Sequence, residues 1–269
     1  MADFIKKKTV RTFRKMKENG EKIVMITAYD ATTAMFSEHA GVDMILVGDS
    51  LAMSSLGYTE TIPMTMDAMV HHSAAVRRGA PNTFIVGDMP FLVCHLGVQE
   101  GLKCAGRFIQ EANCDAVKLE CTPSTLPLVK AMVEAGIPVM GHLGLLPQGV
   151  KTSGGYRING RTREEADELE KRALELEEAG VFSIVFECVP AVVAEAISKK
   201  LSVPTIGIGA GAGCDGQVQV ICDLLGYTDG FLPKHAKRFA EIGKIATSAI
   251  EQYKNDVKDN AFPTSEQSF

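Results

Sequence analysis

Seven residues that can do acid–base or metal chemistry recur at one kind of place in this sequence. Asp49 and Ser50 follow the apolar run Met44–Val47, and Asp88 follows Thr83–Gly87. Lys118 and Glu120 close the run Ala116–Leu119, His142 follows Pro138–Met140, and Glu187 follows Phe182–Phe186. Taken singly, several have a structural explanation. An aspartate after a strand is more often a turn residue than a ligand. Glu120 could be a solvated loop residue, and His142 a satisfied structural histidine. Lys118 and Glu187 lie within or directly after apolar runs, where unpaired charge is rarely buried. One positional rule picks out all of them, and that coincidence points to chemistry.

Carboxylate oxygens without clustered histidines or cysteines select a hard cation such as Mg²⁺. Magnesium takes few carboxylates and leaves positions for a chelating substrate, for which a 2-oxo acid is suited. Such a cation would stabilise an enolate, Lys118 could neutralise the same charge, and Glu187 could take or relay the proton. This supports proton abstraction beside a carbonyl, followed by carbon–carbon bond making or breaking. The electrophile stays open.

Two loops are also of note. The run Gly207-Ile208-Gly209-Ala210-Gly211-Ala212-Gly213-Cys214-Asp215-Gly216 reads either as a phosphate cradle or as close backbone packing. The polar stretch from Lys151 to Arg161 reads either as a lid or as a surface loop.

Something must bring these strand ends together. Apolar runs at Ile23–Thr27, Met44–Val47, Thr83–Gly87, Ala116–Leu119, Pro138–Met140, Phe182–Phe186 and Thr205–Ile208 lack polar alternation, as strands buried on both faces do. A weak eighth is expected near Gly230–Leu232. Helical patterns separate them: Ala31–His39, Met66–Arg78, Val98–Ala112, Pro123–Ala135, Arg163–Ala179, Pro190–Lys199, Gln217–Leu225 and Lys237–Tyr253. A further helix, about Val10–Asn19, precedes the first strand. Eight β-then-α units predict a (β/α)8 barrel, whose strand ends converge on one mouth. The alternative is an open doubly wound sheet. No G-x-G-x-x-G follows the first strand, where Ile26-Thr27-Ala28-Tyr29-Asp30 stands instead. We expect a single barrel domain over residues 1–269, with a poorly ordered tail from about residue 258.

Composition narrows the class. The chain has 269 residues and a formal charge of −5, with no long basic run, which argues against nucleic acid as a partner. Its 46% hydrophobic and 23% charged content is that of a folded soluble protein. No run approaches the roughly 20 apolar residues of a membrane span, and no secretory signal is visible. The seven cysteines never form a C-x-x-C, which suggests reduced thiols and a cytoplasmic protein.

Several segments together resemble the ketopantoate hydroxymethyltransferase family. They are Ile26-Thr27-Ala28-Tyr29-Asp30, Leu46-Val47-Gly48-Asp49-Ser50-Leu51, His72-Ser73-Ala74-Ala75-Val76-Arg77-Arg78-Gly79, Gly141-His142-Leu143-Gly144-Leu145, Glu187-Cys188-Val189-Pro190 and Gly207-Ile208-Gly209-Ala210-Gly211 with Asp215-Gly216-Gln217. The likeness runs from about Val10 to the C-terminal Ser-Phe. It implies transfer of a one-carbon unit from 5,10-methylenetetrahydrofolate to 3-methyl-2-oxobutanoate, giving 2-dehydropantoate on the route to pantothenate and coenzyme A. By the same likeness Asp49, Asp88 and Glu120 hold Mg²⁺. Asp49, Ser50, Asp88, Lys118 and His142 meet the keto acid, and Glu187 accepts the proton. The glycine-rich run is assigned to the substrate and folate region. A barrel similar to phosphoenolpyruvate mutase and isocitrate lyase is implied, with an added N-terminal helix, and so is a homodecamer. Two other readings stand beside it: a mutase- or lyase-like enzyme using the same enolate, and a non-catalytic barrel.

Overall fold

In a computed structural model, residues 7–228, 230 and 232–269 are described. They form two compact units, up to Val220 and from Ile221 to Phe269.

The first unit is a closed barrel of eight parallel strands in sequential order. The strands are β1 (Ile23–Thr27), β2 (Met44–Val47), β3 (Phe84–Asp88), β4 (Ala116–Glu120), β5 (Val139–Gly144), β6 (Ser183–Glu187), β7 (Thr205–Ile208) and β8 (Gly216–Gln219). Helix α1 (Val10–Glu18) precedes them. Between them lie α2 (Ala31–His39), α3 (Leu51–Ser54), α4 (Met66–Gly79), α5 (Val98–Gln110), α6 (Leu126–Glu134), α7 (Val150–Ser153), α8 (Arg163–Glu178) and α9 (Ala191–Lys200). Local chemistry sets several starts. The Asp30 carboxylate accepts from Thr33 N–H at α2, the Thr65 hydroxyl from Ala68 N–H at α4, and Thr162 with Glu165 forms a capping box at α8.

Side chains alternate across a strand, so every second residue points into a barrel. One core cluster contains Ile23, Met25, Met44, Leu46, Phe84, Val86, Ala116, Met140, Val185, Ile206 and Val218, together with Phe13 and Met16 of α1. These are the inward residues of the strands, and α1 packs under them. Phe13 stands edge-on to Phe84, with centroids 5.0 Å apart, and Phe84 packs on Phe182 at 5.5 Å. Two residues further along the same inward rows come Thr27, Asp88, Lys118, His142 and Glu187, with Glu120 two beyond Lys118. The rows carry apolar filling below and chemistry above.

Two expectations need correction. The eighth strand is Gly216–Gln219, which pairs with β1 and β7. It is neither a weak strand near Gly230–Leu232 nor the start of a helix over Gln217–Leu225. Gly230 and Leu232 lie in no strand, and Phe231 is outside the described residues. Only Val218 of β8 is apolar and buried, and Gln217 is exposed, so no apolar run marks the strand.

The second correction concerns the connection from β7 to β8, where the glycine-rich run takes the close-packing alternative. No helix separates β7 from β8, and residues 209–215 alone carry the chain back across the barrel. A Cβ on Gly211 would lie 2.4 Å from the Ala191 Cβ, and one on Gly213 would lie 2.5 Å from the Glu195 Cβ. Gly211 also has φ +82°. The return segment lies so tightly on α9 that side chains are excluded. Its far end is held at Asp215, whose carboxylate accepts from Lys17 and from Thr205 N–H, each at 2.8 Å. Close packing accounts for these glycines.

The second unit holds α10 (Ile221–Leu225), α11 (Ile242–Lys258) and a terminal 3-10 turn at Ser265–Gln267. No described helix is long and apolar enough to cross a membrane.

Candidate active site

Strand register brings the candidates to one mouth. Asp88 on β3 stands beside Lys118 on β4, and Glu120 on β4 beside His142 on β5. Glu187 ends β6 opposite Gly144 of β5. Two placements sharpen the sequence reading: Asp88 and His142 lie inside their strands, not after them. Both are buried, at 1% and 2% exposure.

Lys118 is the pivot of one half. Its ammonium donates to both Asp88 oxygens at 2.8 Å. Burial alone would lower the Lys118 pKa, but Asp88 and then Asp49 overcome that and hold it above its ordinary value. The lysine is therefore charged at neutral pH. Burial also pushes the Asp88 carboxyl up to about 7, against the pull of Lys118. The Asp49 N–H donates to Asp88 Oδ2 at 3.1 Å, which joins the ends of β2 and β3.

Glu120 sits at the rim of the same half. Burial pushes it up to about 8, although it accepts from Gln148 N–H at 2.8 Å. Lys118 lowers it, while Asp49 and Asp88 raise it further. Three carboxylates thus feel one another across a space served by one lysine.

The other half is His142 and Glu187. His142 Nε2 lies 3.3 Å from Glu187 Oε2, but the pair is not aligned as a hydrogen bond. Neither His142 nitrogen has a hydrogen-bond partner among the described residues. Burial, and then Lys118, lower the His142 pKa, so the ring is neutral at neutral pH, with Glu187 opposing. A buried polar group left unmatched costs free energy unless something else meets it, and here that marks a place for a ligand.

Ser50 is held by Tyr29, whose hydroxyl lies 2.9 Å from the Ser50 hydroxyl and accepts from Thr27 at 2.9 Å. His72 Nδ1 in turn stands 2.6 Å from the Tyr29 carbonyl. Tyr29 and Gln148 escaped the strand-end rule because that rule sought ionisable side chains. Tyr156 also escaped it. Its hydroxyl lies 3.7 Å from Met53 Sδ, and burial, then Glu187, raise its pKa.

The donor set suits a hard divalent ion, because Asp49, Asp88 and Glu120 offer only carboxylate oxygens. Burial raises the Asp88 and Glu120 pKa values first of all, and neighbouring carboxylates add to it, Asp49 for Asp88 and both Asp49 and Asp88 for Glu120. No three His, Cys, Asp or Glu side chains among the described residues are gathered as a finished cage. Magnesium does not need one, since it keeps waters and binds through one or two carboxylates with its substrate.

A profile of the ketopantoate hydroxymethyltransferase family matches residues 7–265. The 3-methyl-2-oxobutanoate hydroxymethyltransferase of Desulfotalea psychrophila is 50% identical, over 98% of this chain and 94% of the relative. That of Clostridium novyi is 48% identical over 98% and 96%, and that of Moorella thermoacetica 49% over 97% of each. Among solved structures, a phosphonopyruvate hydrolase complexed with oxalate and Mg²⁺ superposes with TM-score 0.61, covering 97% of this chain and 93% of that one, at 12% identity. A 2,3-dimethylmalate lyase, a member of the phosphoenolpyruvate mutase and isocitrate lyase superfamily, gives 0.60 over 97% and 91% at 14% identity. At such identities the two structures speak for the barrel fold alone.

Proposed function

The chain belongs to the ketopantoate hydroxymethyltransferase family, and from that premise we propose how its own residues carry the reaction. It is a one-carbon transferase that acts on 3-methyl-2-oxobutanoate, as its relatives at about 50% identity are named. We assign the donor as 5,10-methylenetetrahydrofolate, the product as 2-dehydropantoate, and Mg²⁺ as the cation. The likeness supports the first two assignments, and the all-oxygen donor set supports the third.

Asp49, Asp88 and Glu120 would hold the cation, which when bound supplies Lewis-acid stabilisation of charge on the keto oxygen. Lys118 adds a fixed positive charge beside Asp88 at the same place. Ser50, oriented by Tyr29, offers the keto acid a hydroxyl. Glu187 removes the proton from C3, and the electron pair goes to the keto oxygen as an enolate. C3 then bonds to the donor's methylene carbon, that carbon's two bonds to nitrogen break, water supplies the hydroxyl oxygen, and tetrahydrofolate departs with the C3 proton and one proton of the water on its two nitrogens. Neutral His142, beside Glu187 and without a hydrogen bond of its own, is placed to meet the acid that forms there. The observation that carries this assignment is the division of the mouth, with crowded carboxylates and a lysine on one side and Glu187 with a neutral histidine on the other.

We also assign a homodecamer and a reducing cytoplasmic setting. The family likeness, with the exposed apolar residues on α11, supports the first, and the lack of a disulfide among the seven cysteines supports the second.

The test follows C3–H exchange by proton NMR in D₂O with Mg²⁺ and no folate. The wild type is expected to exchange the proton. Glu187→Gln is expected to slow exchange by about 10²–10⁴-fold, the usual weight of a general base. Exchange at the wild-type rate in E187Q would remove Glu187 as the base.

A further inference from the structure

Gln148 stands in the turn Pro147–Gly149, just past β5, and touches three strand ends at once. Its side-chain amide has two N–H donors. Nε2 donates to Asp49 Oδ2 at 2.9 Å and to the Met89 carbonyl at 3.0 Å. Its backbone N–H donates to Glu120 Oε1 at 2.8 Å. The first contact fixes a group beyond β2, the second one beyond β3, and the third one at the end of β4. Asp88, the remaining carboxylate, is fixed separately by Lys118 and by Asp49 N–H.

We propose that Gln148 is the positioning residue of the cation site, clamping one oxygen of Asp49 and one of Glu120 so that each keeps its other oxygen for one divalent ion. The inference rests on the reading above that these carboxylates take a cation.

Three features argue for a clamp and not for simple filling. Neighbouring carboxylates rotate apart unless each is held, and Gln148 holds one oxygen of Asp49 at 2.9 Å and one of Glu120 at 2.8 Å. The clamp is neutral. A lysine at this position would hold the same oxygens but cancel the negative charge that a cation needs, whereas an amide donates without cancelling it. The three bonds also come from a single residue, so Asp49 and Glu120 are fixed relative to each other. Partners that orient metal ligands in this way weaken affinity by about 10–100-fold when removed.

The strap that follows does not by itself explain these contacts. Lys151 pairs with Glu60 at 2.8 Å, and the Tyr156 hydroxyl lies 3.7 Å from Met53 Sδ, both on the rim. Those contacts pin the loop to the segment after β2, yet neither reaches a carboxylate of the cation set.

Gln148→Met separates the two roles. Methionine keeps the length, the packing and the backbone N–H to Glu120, and loses both amide donors. Mn²⁺ is the probe, because it takes the same octahedral oxygen sites and its binding is read directly by electron paramagnetic resonance, without turnover. We expect the Mn²⁺ Kd of Q148M to rise at least about 10-fold, with the metal-free unfolding midpoint close to that of the wild type. In turnover, the activating Mn²⁺ concentration should rise in parallel, while kcat at saturating Mn²⁺ falls much less. Should Q148M fold poorly, Gln148→Ala is measured in the same way, since it too retains the backbone donor. A Kd equal to that of the wild type in a folded variant overturns the clamp. A wild-type protein that binds no Mn²⁺ would instead overturn the cation reading beneath it.

Discussion

At the scale of single residues, the mouth is organised by charge that has been taken out of water. Lys118 and Asp88 are buried together, and removing one partner of such a pair commonly costs about 3–5 kcal/mol because the other is left uncompensated. His142 shows the opposite solution, a titratable ring kept neutral. Its pKa is lowered from 6.5 by burial and by Lys118. The unfolded chain therefore binds a proton that the folded state resists, so this group removes stability as pH falls below about 6.5. The contribution is limited to about 1.4 kcal/mol per pH unit for one proton. Asp88 and Glu120, raised in the fold, act in the reverse sense, so the comparison must be between variants. Chemical denaturation of wild type and His142→Gln across this range is expected to show the wild type losing more stability on acidification. Parallel curves would mean that His142 titrates as an ordinary histidine. These residues were legible in the sequence because ionisable side chains at strand ends are conspicuous. Gln148 and Tyr29 were not, because neutral donors carry no such signal and their roles exist only in three dimensions.

At the scale of elements, the barrel separates what holds it from what reacts. Helix α1 acts as its floor. Phe13 is fully buried and touches the rings of Phe84 and Phe182. Phe13→Ala is expected to cost about 3–5 kcal/mol of stability through the cavity it leaves. Because the lost ring lies in the layer below the inward row of Asp88, Lys118 and Glu187, the KM for the keto acid should change little at a temperature where the variant is folded. Urea denaturation and steady-state kinetics check both halves, and a large KM change with little loss of stability would contradict the division. Strands β1 to β7 were legible because most of their residues are buried and they read as largely apolar runs. Strand β8 was not, since Gly216-Gln217-Val218-Gln219 offers one buried apolar side chain. The glycine-rich run was legible as unusual but not as a return segment, because its meaning lies in the close approach of α9, which spacing along the chain does not show.

At the scale of the whole molecule, the second unit carries a helix with large apolar side chains that the proposed assembly would use. Helix α11 has no buried residue. Yet Ile242, Ile245, Ile250, Tyr253 and Val257 recur along it at helical spacing, with Ile245 64% and Ile250 67% exposed. An amphipathic helix in water turns its apolar side to a partner, and contiguous exposed apolar surface marks an association site. The homodecamer we assign supplies such a partner as further copies of this chain. Burying an isoleucine is worth about 1.5–3 kcal/mol, so two per subunit weigh heavily in an assembly built from repeated contacts. Replacing Ile245 and Ile250 by glutamate puts charge on that face and leaves the sequence of the barrel unchanged. Light scattering after gel filtration is expected to give a large assembly for the wild type and smaller species for I245E/I250E at equal concentration. Circular dichroism should show the secondary structure kept. An unchanged mass in the double variant would mean that this face of α11 lies outside every subunit contact, and the assembly would have to be sought on the barrel itself.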